Sequence, residues 1–97
     1  MPAPKPKKKA DLAALQSPFM RIPRLPVDVA RDLLDLGLRE IYELQGRAPE
    51  ALFADLRRRK PDAPADRVVW FRLAVYFAET PDPERAKLHP DAWREAL

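Results

Sequence analysis

The chain has 97 residues, with 18 Lys and Arg against 15 Asp and Glu, 12 prolines and no cysteine. That length suits one small domain with a modest core. The lack of cysteine excludes a disulfide framework and thiolate metal sites, and it fits a cytoplasmic setting. No apolar run approaches the roughly 20 residues of a membrane helix, and the start does not read as a signal peptide.

Where the charge sits matters more than its sum. Lys5, Lys7, Lys8 and Lys9 fall in the first nine residues, which hold no acid. The remainder carries 14 bases and 15 acids, so the excess positive charge belongs to a tail. Residues 1–9, MPAPKPKKK, have the composition of an extended, disordered basic segment. Residues 10–97 form the expected helical domain.

From Asp11 to about Gln16 a short helix places Leu12 and Leu15 on one face, with Asp11 near its start. Ser17-Pro18 interrupts it. Phe19, Met20 and Ile22 then lead into Pro23-Arg24-Leu25-Pro26. A helix from Val27 to about Leu36 carries Val29, Leu33 and Leu36 as a stripe at helical spacing. Asp28 favours its N-terminus, and Gly37 is placed to close it in the left-handed conformation.

A short helix from Arg39 to Gln45 follows, with Ile41 and Leu44 inward and Gly46 as its stop. Pro49 sits at a tolerated first-turn position, opening a helix to about Arg59 that buries Leu52, Phe53 and Leu56. After Asp62-Ala63-Pro64 comes the most apolar stretch, Val68 to Ala78. Its β-branched and aromatic residues suit a strand. Its length and helical surroundings instead favour a helix buried nearly all round. Asp82-Pro83 reads as another cap and first turn. His89-Pro90 breaks the chain before a last helix carrying Trp93 and Leu97. Five or six short helices joined by tight Pro/Gly turns make an all-α bundle.

The reactive inventory is thin: one histidine (His89), one serine (Ser17), one threonine (Thr80) and no asparagine. A nucleophilic site needs its nucleophile beside an oriented base. Ser17 and His89 lie far apart in sequence, and Ser17 precedes a proline, where a turn role suffices. Neither an enzyme, nor a metal site, nor a cofactor is expected, and no small-molecule substrate.

The stretch from Ile22 to Leu34 resembles a helix-hairpin-helix motif, whose usual form is hydrophobic-Pro-Gly-hydrophobic-Gly followed by a helix with an inward Ala. Ile22, Pro23, Leu25, Ala30 and Leu33 match that frame. Leu36-Gly37-Leu38 through Leu44, followed by Ala48-Pro49-Glu50-Ala51-Leu52, looks like a second, degenerate hairpin. Phe71-Arg72-Leu73-Ala74-Val75-Tyr76-Phe77-Ala78 is similar to a run found after such hairpins in the bacterial pathogenicity-locus family. Some members of that family carry a mitomycin-resistance label. Over about residues 15–85, the resemblance implies a tandem, partly degenerate helix-hairpin-helix arrangement and contact with DNA.

In such a hairpin, two glycines let the backbone turn with positive φ and present N–H groups to one phosphate. Contacts of this kind are blind to base sequence. Here Arg24 and Pro26 stand in place of the glycines. Pro26 has no N–H and cannot adopt positive φ. Arg24, with Arg21 beside it, offers a charge-assisted phosphate ligand instead. Leu25 and Val27 belong to the same turn.

Two further basic groups are candidates for phosphate contact. Lys7, Lys8 and Lys9 lie in the tail. Arg57, Arg58, Arg59 and Lys60 crowd one helix C-terminus, where the macrodipole alone also favours cations. Arg72 is expected to pair with a carboxylate or extend to solvent. Tyr42, Trp70, Tyr76 and Phe77 are expected in the core, and His89 as a cap or surface residue. Two functions stay open: weak, sequence-independent DNA binding, and an accessory protein-interaction module whose hairpin has lost phosphate binding.

Overall fold

The computed structural model describes residues 11–94. Five α-helices are present: α1 (Leu12–Leu15), α2 (Val27–Asp35), α3 (Pro49–Arg59), α4 (Arg67–Glu79) and α5 (Asp91–Arg94). Three 3-10 turns, at Pro18–Arg21, Ile41–Leu44 and Arg85–Leu88, join them. The described residues form no strand. The expected all-helical bundle is therefore present. The tail lies outside the described residues, as does Leu97.

The α4 segment is a helix because burial, not propensity, decides its state. Val68, Val69, Phe71, Leu73, Ala74 and Val75 are all buried, which covers most of its circumference. Phe71 and Leu73 have no exposed surface, and burial of such side chains contributes roughly 2 kcal/mol each. α3 packs Leu52 and Leu56 against this central helix, and the second 3-10 turn adds Leu44. α2 contributes Val29, Ala30 and Leu33. The 3-10 turn at Pro18–Arg21 inserts Phe19, and Ile22 closes the same corner.

Gly37 ends α2 as expected. It has a φ of 92°, its N–H donates to the Leu34 carbonyl at 2.9 Å, and the Leu38 N–H donates to Leu33 at 3.1 Å. This pair of bonds is the Schellman closure, with Leu38 and Leu33 both buried beside it.

Some expectations change. Leu12 and Leu15 are 62% and 44% exposed, and Ala14 supplies the inward contact of α1. Tyr42, expected in the core, is 66% exposed. A 3-10 turn advances by thirds, so Ile41 and Leu44 share the inner side and Tyr42 faces out. α4 begins at Arg67 with Asp66 as its cap residue, four positions past Asp62.

Candidate functional site

Of the two positions where the resembled motif has glycine, Arg24 takes a left-handed backbone and Pro26 an extended one, with a φ of −67°. Arg24 has a φ of 64° and is the one non-glycine residue with positive φ among the described residues. The Leu25 N–H donates to the Ile22 carbonyl at 3.2 Å, closing a turn with Pro23 second and Arg24 third. That order suits a turn whose third residue must be left-handed. Ile22 and Leu25 are buried on either side, which holds the turn in place. Leu25 therefore spends its N–H within the turn.

Pro26 is the extended cap residue of α2 and makes no side-chain cap bond. The first intrahelical donors are Val29 and Ala30, both bonded to the Pro26 carbonyl. The N–H groups of Val27 and Asp28 have no backbone acceptor among the described residues, which leaves the helix start open there. The carboxylate of Asp28 stands in that same first turn. Arg21 and Arg24 are exposed, and neither forms an ion pair among the described residues.

The second turn is built in a similar way but is occupied. Gly46 has a φ of 78°, the Arg47 N–H donates to Leu44 at 3.1 Å, and α3 starts at Pro49. Both turns thus follow a 3-10 segment, place a positive-φ residue three positions before a helix, and enter that helix through an extended cap residue. Here, however, the Gly46 N–H donates to a carboxylate oxygen of Glu79 at 2.7 Å, and the Gln45 side chain donates to the Ala78 carbonyl at 2.9 Å. The end of α4 thus accepts both bonds from this turn.

The Arg57–Lys60 cluster disperses. Arg57 donates to the Ala63 carbonyl at 2.8 Å and lies 4.8 Å over the Phe53 ring. Arg58 pairs with Asp55 at 2.6 Å. Lys60 turns inward, bonding Asp32 at 2.7 Å and Asp35 at 2.9 Å. Arg59 is exposed and without an ion-pair partner among the described residues.

Lys60 belongs to a ladder of charges joining four parts of the chain. Asp11 takes two bonds of 2.8 Å from Arg31, which also holds Asp35 at 3.0 Å. Asp32, almost fully buried, binds Lys60 and also Arg67 at 2.6 Å. The guanidinium of Arg31, helped by the Ala14 N–H, holds the Asp11 carboxyl down at about 2. Burial pushes the Asp35 carboxyl up, but Lys60 and Arg31 outweigh it and leave it below the ordinary value. For Lys60, burial lowers and the two aspartates raise, with the aspartates prevailing. This ladder is structural, and sequence spacing offered one signal for it: Asp28, Arg31, Asp32 and Asp35 share a helix face at i, i+3, i+4, i+7.

Arg72 does pair with a carboxylate, Glu50 at 2.9 Å, and also donates to the Trp93 carbonyl at 2.9 Å. Trp70, Tyr76 and Phe77 are half-buried. Tyr76 packs on Trp93 with ring centroids 5.3 Å apart, and its hydroxyl accepts the Glu84 N–H at 2.9 Å. His89 lies on the surface, its Nδ1 accepting the Asp91 N–H at 3.2 Å. Among the described residues, no helix is long and apolar enough to cross a membrane.

A residue that sequence spacing did not nominate joins the first turn. Arg85, from the third 3-10 turn, lines a groove with Pro23, Arg24 and Leu88. A lone arginine after Asp82-Pro83-Glu84 carries no pattern that would have marked it.

Searches of curated proteins and of solved structures returned no match. A family model described as Cdd1, pathogenicity locus, matches residues 11–93, from the α1 cap residue to Trp93. The chain belongs to the pathogenicity-locus family.

Proposed function

We propose that the protein is a non-catalytic helix-hairpin-helix protein that contacts DNA through its phosphates, weakly and without base specificity. The observation carrying this is Arg24: a bulky cation in a left-handed turn, without an ion-pair partner among the described residues, beside an open helix start. A left-handed backbone at a residue with no ion-pair partner among the described residues supports a functional reading. The similar construction of the Gly46 turn supports a tandem hairpin arrangement. Arg21 and Arg24, assisted by the Val27 N–H, supply the contacts, and Lys7, Lys8 and Lys9 add sequence-independent attraction. Arg59 offers a further phosphate contact, whereas Arg57, Arg58 and Lys60 are engaged internally. The reading suits a cytoplasmic protein.

Titration of duplex and single-stranded DNA at several salt concentrations tests this. The full chain, a version lacking residues 1–9, and Arg24→Ala are compared by fluorescence anisotropy. Each neutralised phosphate contributes about 0.9 to the salt slope on duplex DNA. Affinity should survive tail removal, and the slope should shrink by about one when Arg24 is lost. Absence of binding to either DNA at low salt refutes the proposal.

An accessory protein-interaction role is favoured by a different observation, the exposure of Leu12, Leu15 and Tyr42. Under that alternative, Leu12→Glu and Tyr42→Ser abolish partner binding, and Arg24→Ala leaves it intact.

A further inference from the structure

The groove shared by Arg24 and Arg85 has an unusual charge composition for this molecule. Its volume is about 470 Å³, and its lining among the described residues is Pro23, Arg24, Arg85 and Leu88, with no carboxylate among them. The groove between α2 and the chain entering α4 sets Asp28, Asp32 and Asp62 against Arg31, Lys60 and Arg67. The groove beside α3 includes Asp55 with Arg58 and Arg59.

Several cations elsewhere in the described residues are neutralised, although Arg21 and Arg59 are not. Arg31, Lys60, Arg67 and Arg72 are each held by a carboxylate at 2.6 to 3.0 Å. Neither Arg24 nor Arg85 has such a partner among the described residues. Two guanidinium groups that line one groove, neither held by a carboxylate among the described residues, leave their donors available to an anion.

Both carriers are anchored. Arg24 sits between buried Ile22 and Leu25 in a hydrogen-bonded turn. The turn bearing Arg85 is tied down at both sides. The Glu84 N–H donates to the Tyr76 hydroxyl at 2.9 Å, and the Trp93 indole N–H donates to the Lys87 carbonyl at 2.9 Å. Fixed supports reduce the ordering cost when the two side chains close on a ligand. Two planar forks of N–H donors suit the several oxygens of a phosphoryl group, and Pro23 and Leu88 give an adjoining apolar wall.

We propose that Arg24 and Arg85 form a single phosphate clamp, in which the C-terminal part of the chain completes a site begun by the first turn. Its assignment to a polynucleotide rests on the DNA-contact function proposed above. Phosphate binding itself does not.

Duplex DNA affinity and salt slope are measured for the full chain, Arg24→Ala, Arg85→Ala, Arg85→Lys and the double alanine variant. In parallel, inorganic phosphate is titrated into the labelled protein and followed by amide NMR shifts. Circular dichroism verifies that each variant folds. Arg85→Ala should weaken duplex binding about tenfold at low salt and reduce the slope by about one, with partial recovery in Arg85→Lys. Because both arginines grip the same phosphate, the double variant should lose less than the product of the single losses.

Unchanged affinity in Arg85→Ala beside a loss in Arg24→Ala overturns the clamp and leaves DNA contact standing. Losses that multiply independently overturn the shared phosphate. If duplex fails to bind but inorganic phosphate shifts Arg24, Leu25 and residues 85–88, the clamp holds with a free phosphate as its ligand, and the DNA assignment fails. If neither probe binds, both fail.

Discussion

Replacing Arg24 with glycine separates strain from function at the first turn. Arg24 holds a φ of 64°, and a left-handed residue bearing a Cβ costs about 1–2 kcal/mol. Glycine removes that cost but gives the unfolded chain more freedom, which offsets about 0.5–1 kcal/mol. The exposed guanidinium has no ion-pair partner among the described residues, so its loss subtracts little from the folded state. Arg24→Gly should therefore stabilise the protein by about 0.5–1 kcal/mol, which raises Tm by roughly 2–8 °C in a domain of this size. Thermal and urea unfolding followed by circular dichroism at neutral pH measure this. Arg24→Ala keeps the strained φ and should melt close to wild type, while both variants lose DNA affinity. A Tm for Arg24→Gly at or below that of wild type refutes the account of stored strain.

The charge ladder gives a second set of outcomes. Asp32→Asn leaves Arg67 without its buried counter-charge and should cost about 3 kcal/mol, read from the urea midpoint; a loss under about 0.5 kcal/mol contradicts the structural role. Acid should destabilise the protein, because Asp11, Asp35 and Glu50 all have carboxyls lowered in the folded state. Lowered carboxyls contribute stability in full above their unfolded values and lose it as pH falls through the folded ones. For Asp11 that window runs from its ordinary 3.8 down to about 2. The urea midpoint should hold steady above about pH 5 and fall below pH 4, with a shallower fall in Asp11→Asn; a midpoint constant down to pH 2 would contradict the ladder. Glu79→Ala frees the Gly46 N–H and should cost about 1 kcal/mol in the same assay. No change there would show that the second turn does not depend on its internal carboxylate.

The helices were legible where one local rule was enough. Pro49 opens α3, Gly37 closes α2, and the unbroken apolar run of α4 marks a buried segment. Arg72 advertised its need for a counter-charge, which Glu50 meets from 22 residues away. The features that stayed hidden depend on distant pairing. Arg31 meets Asp11 across 20 residues, and Arg67 meets Asp32 across 35. Sequence spacing identified Lys60 as one of a basic cluster, but the carboxylates of α2 draw it away from Arg59. Tyr42 was misassigned because its neighbours suggested a buried α-helical face, whereas the three-residue period of a 3-10 turn turns it outward. At the first turn, the resemblance pointed to positive φ at the positions of Arg24 and Pro26; only Arg24 adopts it. Arg85 reaches the Arg24 groove through tertiary packing alone.

The most direct test of the central claim is a titration of the isotopically labelled full chain with a short duplex at low salt, followed by amide NMR. The account predicts that the shifts centre on residues 21–28 and 85–88, together with the lysine tail, and fade as salt rises. Shifts confined to residues 1–9, centred on Leu12, Leu15 and Tyr42, or absent altogether would contradict phosphate contact by the first turn.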